Sequence, residues 1–232
     1  MEVKDIRRGQ IYKANLGCRH GSAENNNMPV LIIQNDVGNY FSQTTIVVPV
    51  EEMGRAICET QYKFTMQGTM YCAHVEQIRV IDKSRLLTYV GTAEDKDVKE
   101  ITKRINIVTN SEEGELFWAD LGETVGSEQW GVRPVLVIQS KKSSELSQST
   151  IVVPITSRKK LRLPTHHRFY AFHRRQTACA EQIRALDKNK LRGPIGVLAP
   201  WDRDAIKRCC EVAVGEFGGK NEEPLSKVVG SQ

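Results

Sequence analysis

No apolar run in this 232-residue chain approaches the ~18 residues of a membrane-spanning helix, so no helical span is expected. The opening Met1-Glu2-Val3-Lys4-Asp5 is charged and lacks the apolar stretch of a secretory signal. Cysteines are scattered: Cys18, Cys58, Cys72, Cys179, Cys209 and Cys210 include no Cys-x-x-Cys, and adjacent cysteines such as Cys209 and Cys210 rarely pair. His167 and His173 show no ligand spacing either. We therefore expect no metal and no cofactor, and scattered thiols fit a reducing cytoplasm.

Acidic residues are missing in one place. Between residues 156 and 175 lie Arg158, Lys159, Lys160, Arg162, Arg168, Arg174 and Arg175, with three histidines and no acid. The net charge is only +5, so this excess is local. Such a run is either a solvated face or a contact for a polyanion, whose neutralised phosphates release counterions.

What is present is a repeat. Displaced by 105 residues without a gap, Gly9 falls on Gly114, Pro29-Val30-Leu31 on Pro134-Val135-Leu136, and Thr45-Ile46-Val47-Val48-Pro49 on Thr150-Ile151-Val152-Val153-Pro154. Glu76-Gln77-Ile78-Arg79 falls on Glu181-Gln182-Ile183-Arg184, and Asp82-Lys83 on Asp187-Lys188. Two copies of this length make two domains rather than a solenoid. The expected division is 1–108, 114–216 and a disordered tail, 217–232. A linker of about five residues spans at most about 17 Å, so the copies must sit close.

Each copy reads as several short strands and one terminal helix, which suggests a small curled antiparallel sheet or barrel. In the first copy, strands are expected over 9–16, 30–34, 44–50 and 71–80, with 51–70 ambiguous. In the second they are expected over 115–121, 135–139, 149–156 and 177–185. Val98, Ile101, Ile105 and Val108 recur at helical spacing, and a last helix is expected from about Trp201 to Val214, with Asp202 helping its N-terminus.

The segment Gly126-Ser127-Glu128-Gln129-Trp130-Gly131-Val132-Arg133-Pro134 carries the chemistry. A polar loop runs into a strand, and Pro134 pushes Arg133 towards extended backbone. A guanidinium there can hold a phosphate through permanently charged, bidentate hydrogen bonds. An exposed Trp130 could stack on a base or pack on the barrel. Gln182 could bind or simply join strands. Arg184 and Arg79, kept in both copies, are expected to pair structurally with Asp187 and Asp82.

These stretches, together with Thr-Ile-Val-Val-Pro-Ile-Thr (150–156), Leu-Pro-Thr-His (163–166) and Glu-Gln-Ile-Arg-Ala-Leu-Asp-Lys (181–188), resemble the MazF/PemK/Kid toxins of bacterial toxin–antitoxin pairs. The likeness covers both copies and is closer in the second. It implies SH3-like β-barrels with a C-terminal helix, a mainly β (β+α) fold. It also implies metal-independent cleavage of single-stranded mRNA to a 2′,3′-cyclic phosphate and a 5′-hydroxyl, with a MazE-like antitoxin as partner.

Carried onto this chain, the likeness makes Arg133 and Thr156 catalytic. It places Ser127, Glu128 and Gln129 in the active-site loop, and Glu181 and Gln182 on the strand beside it. Glu128 and His166 are the candidate bases. Arg158, Lys159, Lys160, Trp130 and His166 are candidate RNA contacts. Met28 and Glu51 occupy the arginine and threonine positions of the first copy, so only the second is expected to be live. The rival readings are a non-catalytic nucleic-acid (RNA or DNA) or antitoxin-binding module and a gyrase inhibitor of the CcdB kind. Pairing of the repeats within one chain or between chains stays open.

Overall fold

The computed structural model describes residues 5–17, 27–53, 58–145 and 147–215. The first repeat contains β1 (Gln10–Asn15), β2 (Asn27–Ile32), α1 (Asp36–Phe41), β3 (Thr44–Glu52), β4 (Gln61–Met66), β5 (Thr69–His74), β6 (Arg79–Asp82), β7 (Leu86–Thr92) and α2 (Asp95–Val108). The second repeats that order with β8 (Glu115–Asp120), β9 (Val132–Val137), α3 (Lys141–Glu145), β10 (Ser149–Thr156), β11 (His166–Ala171), β12 (Arg174–Cys179), β13 (Arg184–Asp187), β14 (Leu191–Val197) and α4 (Pro200–Val214).

Each repeat is one seven-stranded antiparallel sheet, and the fold is mainly β. The long strand β10 organises the second sheet. Its first half, Ser149 to Val152, pairs with β13, while Ile155 and Thr156 pair with β12. Its opposite edge takes β9. One strand thus feeds two partners along one edge, which forces the sheet to curl. The β-branched run Ile151-Val152-Val153 is fully buried, as a strand in contact with protein on both faces must be.

The helices close the sheets. In α2, Val98, Ile101, Ile105 and Val108 form the buried face. In α4 the buried set is Ile206, Cys210, Ala213 and Val214, after a proline at the first helical position. Asp202 lies in the first turn but makes no cap; its Oδ1 bonds His167 Nε2 at 2.7 Å instead.

The extended runs expected over 71–80 and 177–185 are each broken by one 3-10 turn, Val75–Gln77 and Ala180–Gln182. The break lets a chain leaving β12 bend onto the other half of β10. Strands β4, β11, β7 and β14 were not foreseen, because their polar, exposed faces hide the alternation. The three-asparagine loop of the first copy mostly falls outside the described residues, as does the expected tail.

The repeats share one core. Val75 and Ile78 of the first lie in the same buried cluster as Ala180 and Ile183 of the second. The contacts follow a pseudo-two-fold. Asn35 N–H donates to Ala213 O at 3.0 Å, and Ser140 N–H donates to Val108 O at 2.7 Å. Each terminal helix therefore has a C-terminal carbonyl satisfied by the other repeat. Among the described residues no helix is long and apolar enough to cross a membrane.

Candidate active site

Arg133 is the second residue of β9 and is half-buried. Its Nε donates to Trp130 O at 3.0 Å, one Nη also reaches that carbonyl, and the other donates to Gln129 Oε1 at 2.8 Å. Three of the five guanidinium donors are thereby fixed, and two remain. All of these acceptors are neutral, and no carboxylate lies in ion-pair range among the described residues. Burial and then the like charge of Arg158 hold its pKa below the ordinary arginine value. The cation is therefore positioned but not neutralised, beside a second cation.

Thr156 ends β10 and is largely buried; its Oγ1 accepts the Arg158 N–H at 3.2 Å. The β9–β10 register runs to Pro154 opposite Val135. Arg133 on β9 and Thr156 at the end of β10 lie just beyond that last pair, on neighbouring strands. Residues 23 apart in sequence are therefore carried by adjacent strands.

The loop before β9 is held from both repeats. Gln129 N–H donates to Gln182 Oε1 at 3.0 Å, and Arg184 donates to Gln129 O at 3.0 Å and to Gln182 Oε1 at 3.2 Å. Arg184 therefore braces the loop rather than pairing with Asp187, whose Oδ1 accepts the Asn189 N–H. Deep burial lowers the Arg184 pKa to about 10. Asp82 accepts from Ser84 and from Ser127 N–H.

Glu128 is buried, and its Oε1 accepts from Arg85 at 3.0 Å and from Asp82 N–H at 2.9 Å, both in the first repeat. The carboxylate thus faces the repeat junction. Sequence reasoning missed Asp82 and Arg85 as supports for this loop, because the contact crosses 46 and 43 residues.

Trp130 is 64% exposed at the loop tip, and Ser127 is exposed with it. Arg158 and Lys159 are exposed in the segment after β10, and Lys160 is half-buried. The His166 side chain is buried. Its Nδ1 bonds Leu161 O at 2.8 Å and its Nε2 pairs with Glu181 Oε1 at 2.9 Å. Burial opposes the charged form, but hydrogen bonds to Cys179 and Glu181 outweigh it and raise its pKa to about 10. Protonated and paired, His166 is a cation near neutral pH rather than a ready base.

In the first repeat the same positions hold different chemistry. Met28 packs against a hydrophobic cluster. Glu51, at the position of Thr156, lies 3.4 Å from His74 Nε2, and His74 stands where the second repeat has Cys179.

The chain thus carries a half-buried arginine with no carboxylate partner among the described residues, on a small β fold that occurs twice. The family model for the PemK-like, MazF-like toxin of type II toxin–antitoxin systems matches twice, over residues 7–109 and 112–213. The chain belongs to that family, as a tandem duplication within one polypeptide. Endoribonuclease EndoA of Bacillus subtilis is 39% identical over 106 residues, 44% of this chain and 91% of EndoA. Endoribonuclease MazF of Staphylococcus saprophyticus is 34% identical over 107 residues, 44% of this chain and 89% of that protein. Among solved structures, MazF from Deinococcus radiodurans is 23% identical and covers 45% of this chain and 94% of its own, with a TM-score of 0.39. A mycobacterial endoribonuclease in complex with its cognate antitoxin is 22% identical and covers 43% of this chain and 90% of its own, with a TM-score of 0.37.

Proposed function

We propose that this MazF-like toxin is a metal-independent, sequence-specific endoribonuclease of single-stranded mRNA, held in check by a MazE-like antitoxin. The observation that carries the reading is Arg133, fixed by three hydrogen bonds to neutral acceptors, with two donors unused and no carboxylate partner among the described residues. The ribose 2′-hydroxyl attacks the adjacent phosphorus, the P–O5′ bond breaks, and a 2′,3′-cyclic phosphate and a 5′-hydroxyl result. Arg133 stabilises charge on the non-bridging oxygens, and the Thr156 hydroxyl adds a donor at the same edge.

Glu128 acts in this reading as a positioning residue, because its carboxylate is buried against Arg85. Trp130 offers a stacking face, and Ser127, Arg158, Lys159 and Lys160 line the path of the backbone. His166, Gln129 and Gln182 hold the site's shape. Only the second repeat cuts: a methionine cannot grip a phosphate, and Glu51 repels one. The first repeat supplies the opposite wall of the groove, and the functional unit is the pair of repeats in one chain.

The test is cleavage of a single-stranded RNA in EDTA with end-group analysis of the products. We expect cyclic-phosphate and 5′-hydroxyl ends, lost in Arg133→Ala by about 10²–10³-fold. Cutting that survives Arg133→Ala would remove this mechanism. Binding without cutting by the unsubstituted chain would favour the non-catalytic module, and inhibition of supercoiling would favour the gyrase-inhibitor reading.

A further inference from the structure

His166, Cys179 and Glu181 are assembled by the fold, not by sequence proximity. The β11–β12 register sets His166 opposite Cys179, and the following 3-10 turn brings Glu181 back to them. One donor atom from each lies within 4.8 Å of the others. Nitrogen, thiol and carboxylate donors together suit a borderline-soft divalent ion, zinc above all.

Two further observations point to a ligand. Nδ1 of His166 is turned onto the Leu161 carbonyl, the kind of bond that orients a metal-binding imidazole with its Nε2 facing the ion. Glu181 Oε2 is buried and has no hydrogen-bond partner. An orphaned carboxylate oxygen is costly, and a cation would satisfy it.

We propose that His166 Nε2, Cys179 Sγ and a Glu181 carboxylate oxygen form a zinc site in the second repeat. Zinc bonds of roughly 2.0–2.3 Å place tetrahedral ligands roughly 3.3–3.8 Å apart, so the His166 Nε2–Glu181 Oε1 pair, 2.9 Å apart in the metal-free arrangement, must open slightly to admit the ion while Cys179 stays within reach. Zinc takes the thiolate and the neutral imidazole, so any protons on these ligands pass to solvent as the ion binds. The three side chains leave one tetrahedral position for a water or another ligand. The ion acts as a staple: it ties β11, β12 and the 3-10 turn together, and through Leu161 it anchors the basic segment that follows β10. The site does not depend on the RNA-cleaving reading.

The first repeat has no counterpart. Gln61, His74 and Glu76 occupy the matching positions, but His74 turns Nδ1 to Gln61 and Glu76 and Nε2 to Glu51, so its donors diverge. Among the described residues the cluster occurs once, so one ion per chain is expected.

The test uses the full chain with Cys18→Ser and Cys58→Ser, stripped with a chelator and dialysed, then titrated with Zn²⁺ by calorimetry. We expect one saturable site, weakened at least about tenfold by Cys179→Ser and by His166→Gln. Saturable binding that Cys179→Ser leaves unchanged, or no saturable binding at all, overturns the proposal. Should those variants fail to fold, Co²⁺ bound to the unsubstituted site decides: tetrahedral-strength visible bands with a thiolate charge-transfer band support it, and their absence sinks it.

Discussion

Arg85 of the first repeat and Glu128 of the second meet at 3.0 Å, with 15% and 4% of their side chains exposed. This ion pair joins the two repeats beneath the loop that carries Arg133. Glu128→Ala leaves Arg85 and the Asp82 amide without that acceptor. Breaking a buried pair from one side costs about 3–5 kcal/mol, so the variant should show a markedly lower denaturation midpoint. Glu128→Gln, which keeps the shape and one acceptor, should lose less. Equal stability of all three proteins in urea would mean that the pair does not join the repeats.

Gly126 starts the same loop at φ +59°, and a Cβ built there would lie 2.0 Å from Asp82 Oδ2. Gly131 ends the loop at φ +73° with open space around it. Both positions penalise an L side chain by about 1–2 kcal/mol, but only the first adds a clash across the repeats. Gly126→Ala should therefore melt lower than Gly131→Ala, by differential scanning calorimetry on purified proteins.

Trp130 is predicted to matter for substrate and not for folding. Its exposed indole contributes little to the core, whereas stacking on a base contributes about 1–3 kcal/mol. Trp130→Ala should weaken single-stranded RNA binding by about ten- to a hundredfold, read by fluorescence anisotropy, with the melting temperature unchanged. An unaltered affinity would assign the indole to the protein surface alone.

His74 and Glu76 give the first repeat a pH signature. The His74 pKa is raised, first by its hydrogen bond to Glu76 and against burial. For Glu76, burial acts upward, but the hydrogen bonds from His74, its own backbone and Gln61 outweigh it and lower the pKa. The histidine's contribution is full below its ordinary 6.5 and fades as pH rises through the raised folded value. The glutamate's is full above its ordinary 4.5 and fades as pH falls through the depressed folded value. Both act together between those two pH values. The stability gap between the unsubstituted protein and Glu76→Gln should be widest there and shrink on either side, measured by urea unfolding across pH.

Much of the fold could be read directly. Residues 149–156 form β10 as expected, because a β-branched run buried on both faces has no other use. The helix face of Val98, Ile101, Ile105 and Val108 followed from its spacing. Strands such as β11, with one wet face rich in histidine and arginine, carry too little apolar alternation to be seen. The break at Ala180–Gln182 was invisible because its residues suit a strand as well as a turn.

Of the candidate site, the repeat itself singled out Arg133: a duplicated frame shows where one copy keeps a charge and the other holds Met28. Sequence by itself therefore determined the family, the two-copy plan and which copy keeps the arginine. Only the tertiary structure decided that Glu128 is spent on Arg85, that Arg184 braces the loop, and that Cys179 and Glu181 close around His166. Local patterning fixes which face of a strand is buried, but partners across a register or a repeat junction are chosen when the sheets curl and dock.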